Sequence, residues 1–207
     1  MVTNPVAVRR DMVRIGQEME NKGLIVAAEG NISSRLGGHA FLVTPSGVNK
    51  GQLRSQDLLE VDAAGRSSRG RVTSEWNLHR EIYLARPDVG AVCHGHPPWA
   101  TAFAVTGRDL DGTLLTETAG LLPRVPVAPR VEPGTDAVGY SVQPFLADFN
   151  AILLGSHGVV TMGTDLRQAC DRLLTVERLA QITLLAEVAA GRSSLSESIF
   201  RGLVDGP

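Results

Sequence analysis

The pair His94-Gly95-His96, at the end of an apolar run that starts at Ala91, most constrains what this chain can fold into. Residues two apart in a β-strand point to the same side of a sheet, so a strand that ends here would present both imidazoles together. A third histidine, His157, also precedes a glycine beside apolar residues. Three histidines that leave one position open are typical of a catalytic zinc site. The alternative is three ordinary polar residues near strand ends, and spacing alone leaves both interpretations open.

The rest of the apolar pattern predicts helices and strands around one sheet. Apolar residues recur at helical spacing from Val6 to Lys22, and Gly23 follows as a stop signal. Further helices are predicted over 74–85, with Ser74 as the N-cap, and over 98–105, 135–147 and 165–190. A turn followed by a strand is predicted over 27–36, and it forms a hairpin with a strand over 40–44. Further strands are predicted over 58–62, 90–94, 125–128, 150–155 and 159–162. Residues 114–122 fit neither pattern. This order of elements indicates an α/β sandwich.

Length and charge narrow the classes of function. The chain has 207 residues, 43% of them hydrophobic, which fits one domain over 1–207. We expect residues 193–207 to form a mobile tail. A formal net charge of −2 gives no electrostatic basis for binding nucleic acid. No segment has the length of a membrane span, and no apolar signal region follows Arg10. We therefore expect a cytoplasmic protein whose partners are small molecules or copies of itself.

The two cysteines of the chain agree with a cytoplasmic location. Cys93 and Cys170 are too few for a disulfide framework, and both are predicted to be reduced core residues. Because Cys93 precedes His94 in the same predicted strand, its side chain should point to the opposite face of the sheet. It is therefore not counted among the predicted metal ligands.

Three short polar segments also carry chemistry. They are Gly30-Asn31, Thr44-Pro45-Ser46-Gly47 and Thr73-Ser74-Glu75. Glycine with Ser, Thr and Asn can offer backbone and side-chain donors to a phosphate, although each segment alone would more commonly be a turn or a helix cap. No lysine lies within these loops, which predicts neutral donors to a single phosphate rather than a nucleotide site.

In this order and spacing, the segments and the histidines resemble the class II aldolase and adducin head family, and most closely its zinc-dependent fuculose-phosphate aldolases. The resemblance covers nearly the whole chain. It implies a three-layer α/β/α sandwich with a central, mainly antiparallel sheet, and a homotetramer. It also implies one zinc ion per subunit and cleavage of a ketose 1-phosphate to dihydroxyacetone phosphate and an aldehyde. The implied metal ligands are His94, His96 and His157, the implied acid/base is Glu75, and the implied phosphate-binding residues are Gly30, Asn31, Ser46, Gly47, Thr73 and Ser74.

One departure from the fuculose type concerns the proton donor to the leaving group. Those enzymes carry a tyrosine in the region where this chain has Glu117, and a second near the C-terminus. Here the only tyrosines are Tyr83 and Tyr140, and residues 193–207 contain none. This weakens assignment to fuculose phosphate but leaves the predicted zinc site unaffected.

Other functions on this scaffold remain alternatives. Sugar-phosphate epimerases carry an aspartate where this chain has Glu75, whereas dehydratases keep a glutamate. A decarboxylase of an oxidised sugar phosphate is a further alternative. The plainer interpretation of Glu75 is a helix-start glutamate favoured by the helix dipole. Adducin heads share the fold but act as interaction domains that have lost the metal ligands, all three of which are present here.

Overall fold

The fold is known from a computed structural model, which describes residues 4–37 and 39–191. The predicted tail over 193–207 lies outside the described residues. The helices are α1 (Pro5–Asn21), α2 (Trp76–Ala85), α3 (Pro98–Thr106), α4 (Thr116–Ala119), α5 (Asp136–Val142) and α6 (Leu166–Ala189). The strands are β1 (Asn31–Gly37), β2 (Ala40–Val43), β3 (Leu59–Val61), β4 (Ala91–Gly95), β5 (Leu110–Asp111), β6 (Arg124–Val125), β7 (Val127–Ala128), β8 (Ala151–Leu154) and β9 (Gly158–Gly163).

Seven strands form the central sheet, in the order β3-β2-β1-β4-β9-β8-β7. Every neighbouring pair is antiparallel except β7 and β8, which are parallel. Strands β5 and β6 form a separate two-stranded ribbon. The sheet is therefore mainly antiparallel, as the family resemblance implied.

Two hydrophobic cores lie on opposite faces of this sheet. One core contains apolar residues of α1, α3 and α6, among them Met12, Phe103 and Leu173. The other contains apolar residues of α2 and α5, among them Ile82 and Val142. Helices thus cover both faces, and the predicted three-layer α/β/α sandwich is confirmed.

Side chains along β4 point alternately to the two faces of the sheet, and this alternation determines the face on which His94 lies. Ala91 and Cys93 belong to the core under α1, α3 and α6, whereas Val92 belongs to the core under α2 and α5. Because alternate residues of a strand point to opposite faces, His94 points toward α2 and Cys93 away from it. Asn31 of β1 is paired directly with His94. The two cysteines are buried and free, as predicted.

Two predicted elements are interrupted by proline. The strand predicted over 125–128 is divided at Pro126 into β6 and β7, because proline donates no ladder hydrogen bond. The helix predicted over 135–147 ends at Val142 and is followed by a 3-10 turn that contains Pro144. Pro144 has no N–H to donate to the carbonyl oxygen four residues earlier, so the α-helical hydrogen bonds stop here and α5 ends early.

The helix predicted from Ser74 also begins later, at Trp76. Glu75 is its N-cap residue, and the Glu75 side chain makes no capping hydrogen bond. The prediction of Ser74 as the N-cap was therefore wrong. In residues 4–37 and 39–191, no helix combines the length and the apolar composition needed to cross a bilayer.

Candidate active site

The three predicted metal ligands lie together at one edge of the sheet. His94 is in β4, His96 follows that strand, and His157 lies in the turn between β8 and β9. The side-chain donor atoms of the three all lie within 4.8 Å of one another. The antiparallel pairing of β4 with β9 brings the two parts of the chain together, with Gly95 opposite Val159.

A glycine is required at position 158, where the start of β9 lies against the end of β4. A Cβ atom at Gly158 would lie 2.5 Å from the carbonyl oxygen of Gly95 and 2.6 Å from the ring of His96. Any larger residue would therefore push β9 away from β4 and separate His157 from the other two rings. This contact explains why a glycine follows His157 in the sequence.

In His94 and His96, contacts at Nδ1 leave the other ring nitrogen, Nε2, facing the cluster. The Nδ1 atom of His94 lies 2.9 Å from the carbonyl oxygen of Val159 and donates a hydrogen bond to it, so Nε2 is the nitrogen that faces the cluster. The Nδ1 atom of His96 faces Glu29 Oε1 at 3.5 Å. Metal-binding histidines commonly have their second nitrogen held in this way by a carbonyl or a carboxylate.

The spacing of the nitrogens fits a zinc ion. With Zn–N bonds of about 2.0–2.1 Å, two nitrogens on one tetrahedral ion are about 3.3 Å apart. The Nε2 atoms of His94 and His96 are 3.1 Å apart. The donor set, three imidazoles with one position open, is one that catalytic zinc sites use.

The carboxylate of Glu75 contacts two of the three rings. Its Oε2 atom lies 3.1 Å from Nε2 of His94, and its Oε1 atom lies 3.2 Å from Nε2 of His157. The side-chain amide of Asn31 donates a hydrogen bond to Oε2 at 2.8 Å. The Glu75 side chain thus lies in the histidine cluster and makes no capping hydrogen bond, although the residue stands at the start of α2.

Burial and charge act on Glu75 in opposite directions. Burial of the side chain, which is 8% exposed, raises the pKa of the carboxyl. The charge of His94 and its hydrogen bond, the charge of His157 and the amide of Asn31 outweigh burial and hold this pKa well below its usual range. Glu75 is therefore ionised at neutral pH. Its Oε1 atom is buried and has no hydrogen-bond partner within the described residues.

The predicted phosphate loops line the same cleft as the histidines. This cleft has a volume of roughly 440 Å³, and its wall includes Gly30, Asn31, Ser46, Gly47, Thr73 and Ser74, together with Glu75, His96 and His157. A bridge between Pro45 and Val72 joins two of the three loops. The structure therefore brings all six predicted phosphate-binding residues to one place, and their binding of phosphate remains a prediction.

A lysine in this cleft was missed by the sequence analysis. Lys50 also lines the cleft, is 2% exposed, and donates a hydrogen bond from Nζ to the carbonyl oxygen of Ala28 at 2.6 Å. Burial lowers the pKa of Lys50, and the negative charge of Glu75 opposes that shift. The available signal was its position three residues after Gly47. The cleft that contains the predicted phosphate loops therefore also contains a lysine, in addition to the neutral donors that the sequence predicted.

Pro133 and Gly134, just before α5, form another part of the cleft wall that the sequence did not suggest. By contrast, Glu117 is exposed in α4 and is absent from the residues that line the cleft. His39 is exposed, and Tyr140 is 57% exposed on α5. None of these last three residues contributes a group to the cleft as described.

Comparison with known proteins identifies the family. The model of the class II aldolase and adducin N-terminal domain matches residues 10–184. The 5-methylthioribulose-1-phosphate/5-deoxyribulose-1-phosphate aldolase of Rhodospirillum rubrum is 30% identical over 85% of this chain and 80% of that protein. The methylthioribulose-1-phosphate dehydratase of Methylococcus capsulatus is 34% identical over 82% of this chain and 87% of that protein.

A solved structure agrees with both the fold and the family. The L-fuculose-1-phosphate aldolase of Thermus thermophilus superimposes with a TM-score of 0.81 and 33% identity, covering 90% of this chain and 97% of the other. The family model alone spans most of the chain, and these relatives cover 82–90% of it. The chain therefore belongs to the class II aldolase and adducin N-terminal domain family.

Proposed function

We propose that this protein is a zinc-dependent aldolase that cleaves a ketose 1-phosphate to dihydroxyacetone phosphate and an aldehyde. The observation that carries the proposal is the position of Glu75. Its ionised carboxylate lies between the three-histidine cluster and the cleft lined by the polar loops. A single site thus combines a metal-binding group, an acid/base and donors for a phosphate.

The role proposed for each residue follows from the chemistry of its side chain. His94, His96 and His157 would hold one zinc ion, which when bound supplies a Lewis acid that stabilises negative charge developing on the substrate oxygens. In cleavage, the C4 hydroxyl loses its proton, the C3–C4 bond breaks as the aldehyde forms, and C3 then gains a proton. We assign the proton transfer at C3 to Glu75, whose Oε1 atom has no hydrogen-bond partner among the described residues.

Phosphate recognition would combine neutral and charged donors. Ser46, Gly47, Thr73 and Ser74 offer hydroxyl and backbone groups at the cleft wall. The ammonium of Lys50 adds a positive charge, with one of its three donors used by Ala28. The side chain of Asn31 is engaged with Glu75, so we expect it to act mainly on the carboxylate.

A dehydratase is the second candidate function, because the relative that is 34% identical is a methylthioribulose-1-phosphate dehydratase. A glutamate at position 75 suits either reaction. The absence of Glu117 from the described cleft leaves unassigned the group that takes the C4 hydroxyl proton in cleavage and returns it to the aldehyde oxygen in the reverse reaction. Dehydration would instead need a donor that protonates the departing hydroxyl. An epimerase, a decarboxylase and a non-catalytic interaction domain are the remaining alternatives.

The deciding experiment is a panel assay. Zinc-loaded protein is incubated with dihydroxyacetone phosphate and a series of aldehydes, including glycolaldehyde, lactaldehyde and a methylthio-aldehyde, and new ketose phosphates are identified by mass spectrometry. An aldolase forms at least one of them. In a separate incubation with methylthioribulose 1-phosphate, its consumption with loss of water and without release of dihydroxyacetone phosphate would instead assign the dehydratase. A protein that neither binds zinc nor changes any of these compounds would fit the interaction domain.

We also propose a cytoplasmic homotetramer with one zinc ion in each subunit. This follows from membership in the family, and light scattering at micromolar protein concentration tests the assembly. A monomer under those conditions would contradict it.

A further inference from the structure

A line of buried polar side chains runs from Glu75 into the core between the sheet and α2. Asn31 contacts Glu75, and the Nε2 atom of His79 contacts Oδ1 of Asn31. The Nδ1 atom of His79 lies 2.6 Å from Oγ of Ser33, which lies 2.7 Å from the hydroxyl of Tyr83. None of the four residues behind Glu75 is more than 5% exposed.

The line exists because two residues of a strand and four residues of a helix span nearly the same distance. Asn31 and Ser33 are two apart in β1, a rise of about 6.6 Å. His79 and Tyr83 are four apart in α2, a rise of about 6.0 Å. Side chains from the two elements therefore alternate along the interface, with Glu75 at one end and Tyr83 at the other.

The proton positions along the line are determined by elimination. The amide nitrogen of Asn31 donates to Oε2 of Glu75, so the Oδ1 atom of Asn31 must accept from His79 Nε2. The Nδ1 atom of a neutral His79 then accepts from the Ser33 hydroxyl, which in turn accepts from Tyr83. Burial lowers the pKa of His79 to about 3, which keeps the ring neutral at physiological pH.

We infer that His79, supported by Ser33 and Tyr83, is a positioning residue that holds the Asn31 amide and so fixes which oxygen of Glu75 exchanges protons. Oε2 receives the amide N–H and is anchored, whereas Oε1 has no hydrogen-bond partner among the described residues. Without the donor on His79, the Asn31 amide could rotate and present its oxygen to the carboxylate. This inference rests on the proposed acid/base role of Glu75 and adds to it the residues that orient the carboxylate.

Two substitutions of His79 separate this role from simple loss of packing. In His79→Gln the amide nitrogen of glutamine can take the place of Nε2 and still donate to Asn31. In His79→Asn the shorter amide takes the place of Nδ1 and contacts only Ser33. The matched control is Ile82→Val, a buried residue of the same helix, which removes one methylene from the core at a cost of about 0.5–1.5 kcal/mol.

The experiment measures kcat, KM and Tm for the three zinc-loaded variants with the best substrate of the panel. We expect His79→Asn to lower kcat about 10- to 100-fold with KM little changed, as for partners of catalytic groups elsewhere. His79→Gln should retain most of the wild-type kcat even where its Tm is lower, and Ile82→Val should retain all of it. Equal losses of kcat in both His79 variants, or no loss in His79→Asn, would overturn the inference.

Crystal structures of wild type and His79→Asn make the test independent of the reaction. If the wild type turns over nothing in the panel, the proposed function fails, and the structures alone decide the inference. A rotated Asn31 amide or a displaced Glu75 carboxylate in His79→Asn supports the positioning role. An unchanged contact from Asn31 Nδ2 to Glu75 Oε2 overturns it.

Discussion

Replacing His79 by glutamine should remove a pH dependence of stability that the wild type carries. Burial of His79, which is 0% exposed, lowers its pKa from 6.5 to about 3. The folded protein therefore keeps this ring neutral, while the unfolded chain takes up a proton below pH 6.5. Because the unfolded state binds more protons, the free energy of unfolding rises with pH between these two values and is lost as pH falls.

The magnitude follows from the two pKa values. Between pH 7 and pH 5, the unfolded imidazole changes from mostly neutral to mostly protonated, and the folded one remains neutral. The free energy of unfolding of the wild type should fall by about 2 kcal/mol over this interval because of His79 alone, at up to about 1.4 kcal/mol per pH unit. Glutamine does not titrate, so the variant lacks this contribution.

The assay is urea unfolding of the wild type and His79→Gln, followed by circular dichroism at half-unit steps from pH 7.5 to 5. Both proteins are measured metal-free with EDTA and at one concentration, because zinc or subunit binding would add its own linkage. The quantity compared is the difference in free energy of unfolding between the two proteins at each pH. It should shift by about 2 kcal/mol in favour of the variant as pH falls. A difference that stays constant would refute the reasoning, since it would mean that His79 is protonated in the folded state.

Two further predictions concern the cleft. Lys50→Met should raise KM for a phosphorylated substrate about 10- to 100-fold with little change in zinc content, because a hydrogen bond to a charged group contributes about 1.5–3 kcal/mol; an unchanged KM in steady-state assays would remove Lys50 from the phosphate site. His94→Ala should lose zinc as measured by mass spectrometry of the purified protein, whereas His39→Ala, which changes an exposed histidine outside the site, should keep one zinc per chain. Full zinc occupancy in His94→Ala would exclude His94 as a ligand.

Local patterns were sufficient to predict the layers of this fold. The helical spacing in α1 and α6 and the apolar runs of β4, β8 and β9 gave their approximate bounds, because each follows from one amphipathic or apolar face. Errors arose where one residue overrides the pattern. Pro126 and Pro144 each interrupt a predicted element, and the true start of α2 depends on Glu75 turning toward the histidines.

Only the parts of the site that come from short sequence motifs could be predicted. His94 lies in β4 and His96 directly follows it, so their proximity could be inferred from spacing, but the approach of His157 depends on the pairing of β4 with β9. Lys50 was missed because its part in the cleft comes from tertiary packing against Ala28. The line from Asn31 to Tyr83 depends on the relative placement of β1 and α2, which local patterns in the sequence do not give.

The most direct test of the central claim is deuterium exchange into dihydroxyacetone phosphate in D₂O, without any aldehyde. If zinc held by the three histidines and proton transfer by Glu75 together perform aldol chemistry, the zinc-loaded wild type should exchange one C3 hydrogen of this compound for deuterium. Glu75→Gln should bind zinc and show no exchange above the uncatalysed rate. An absence of exchange with the zinc-loaded wild type, or undiminished exchange with Glu75→Gln, would contradict the account.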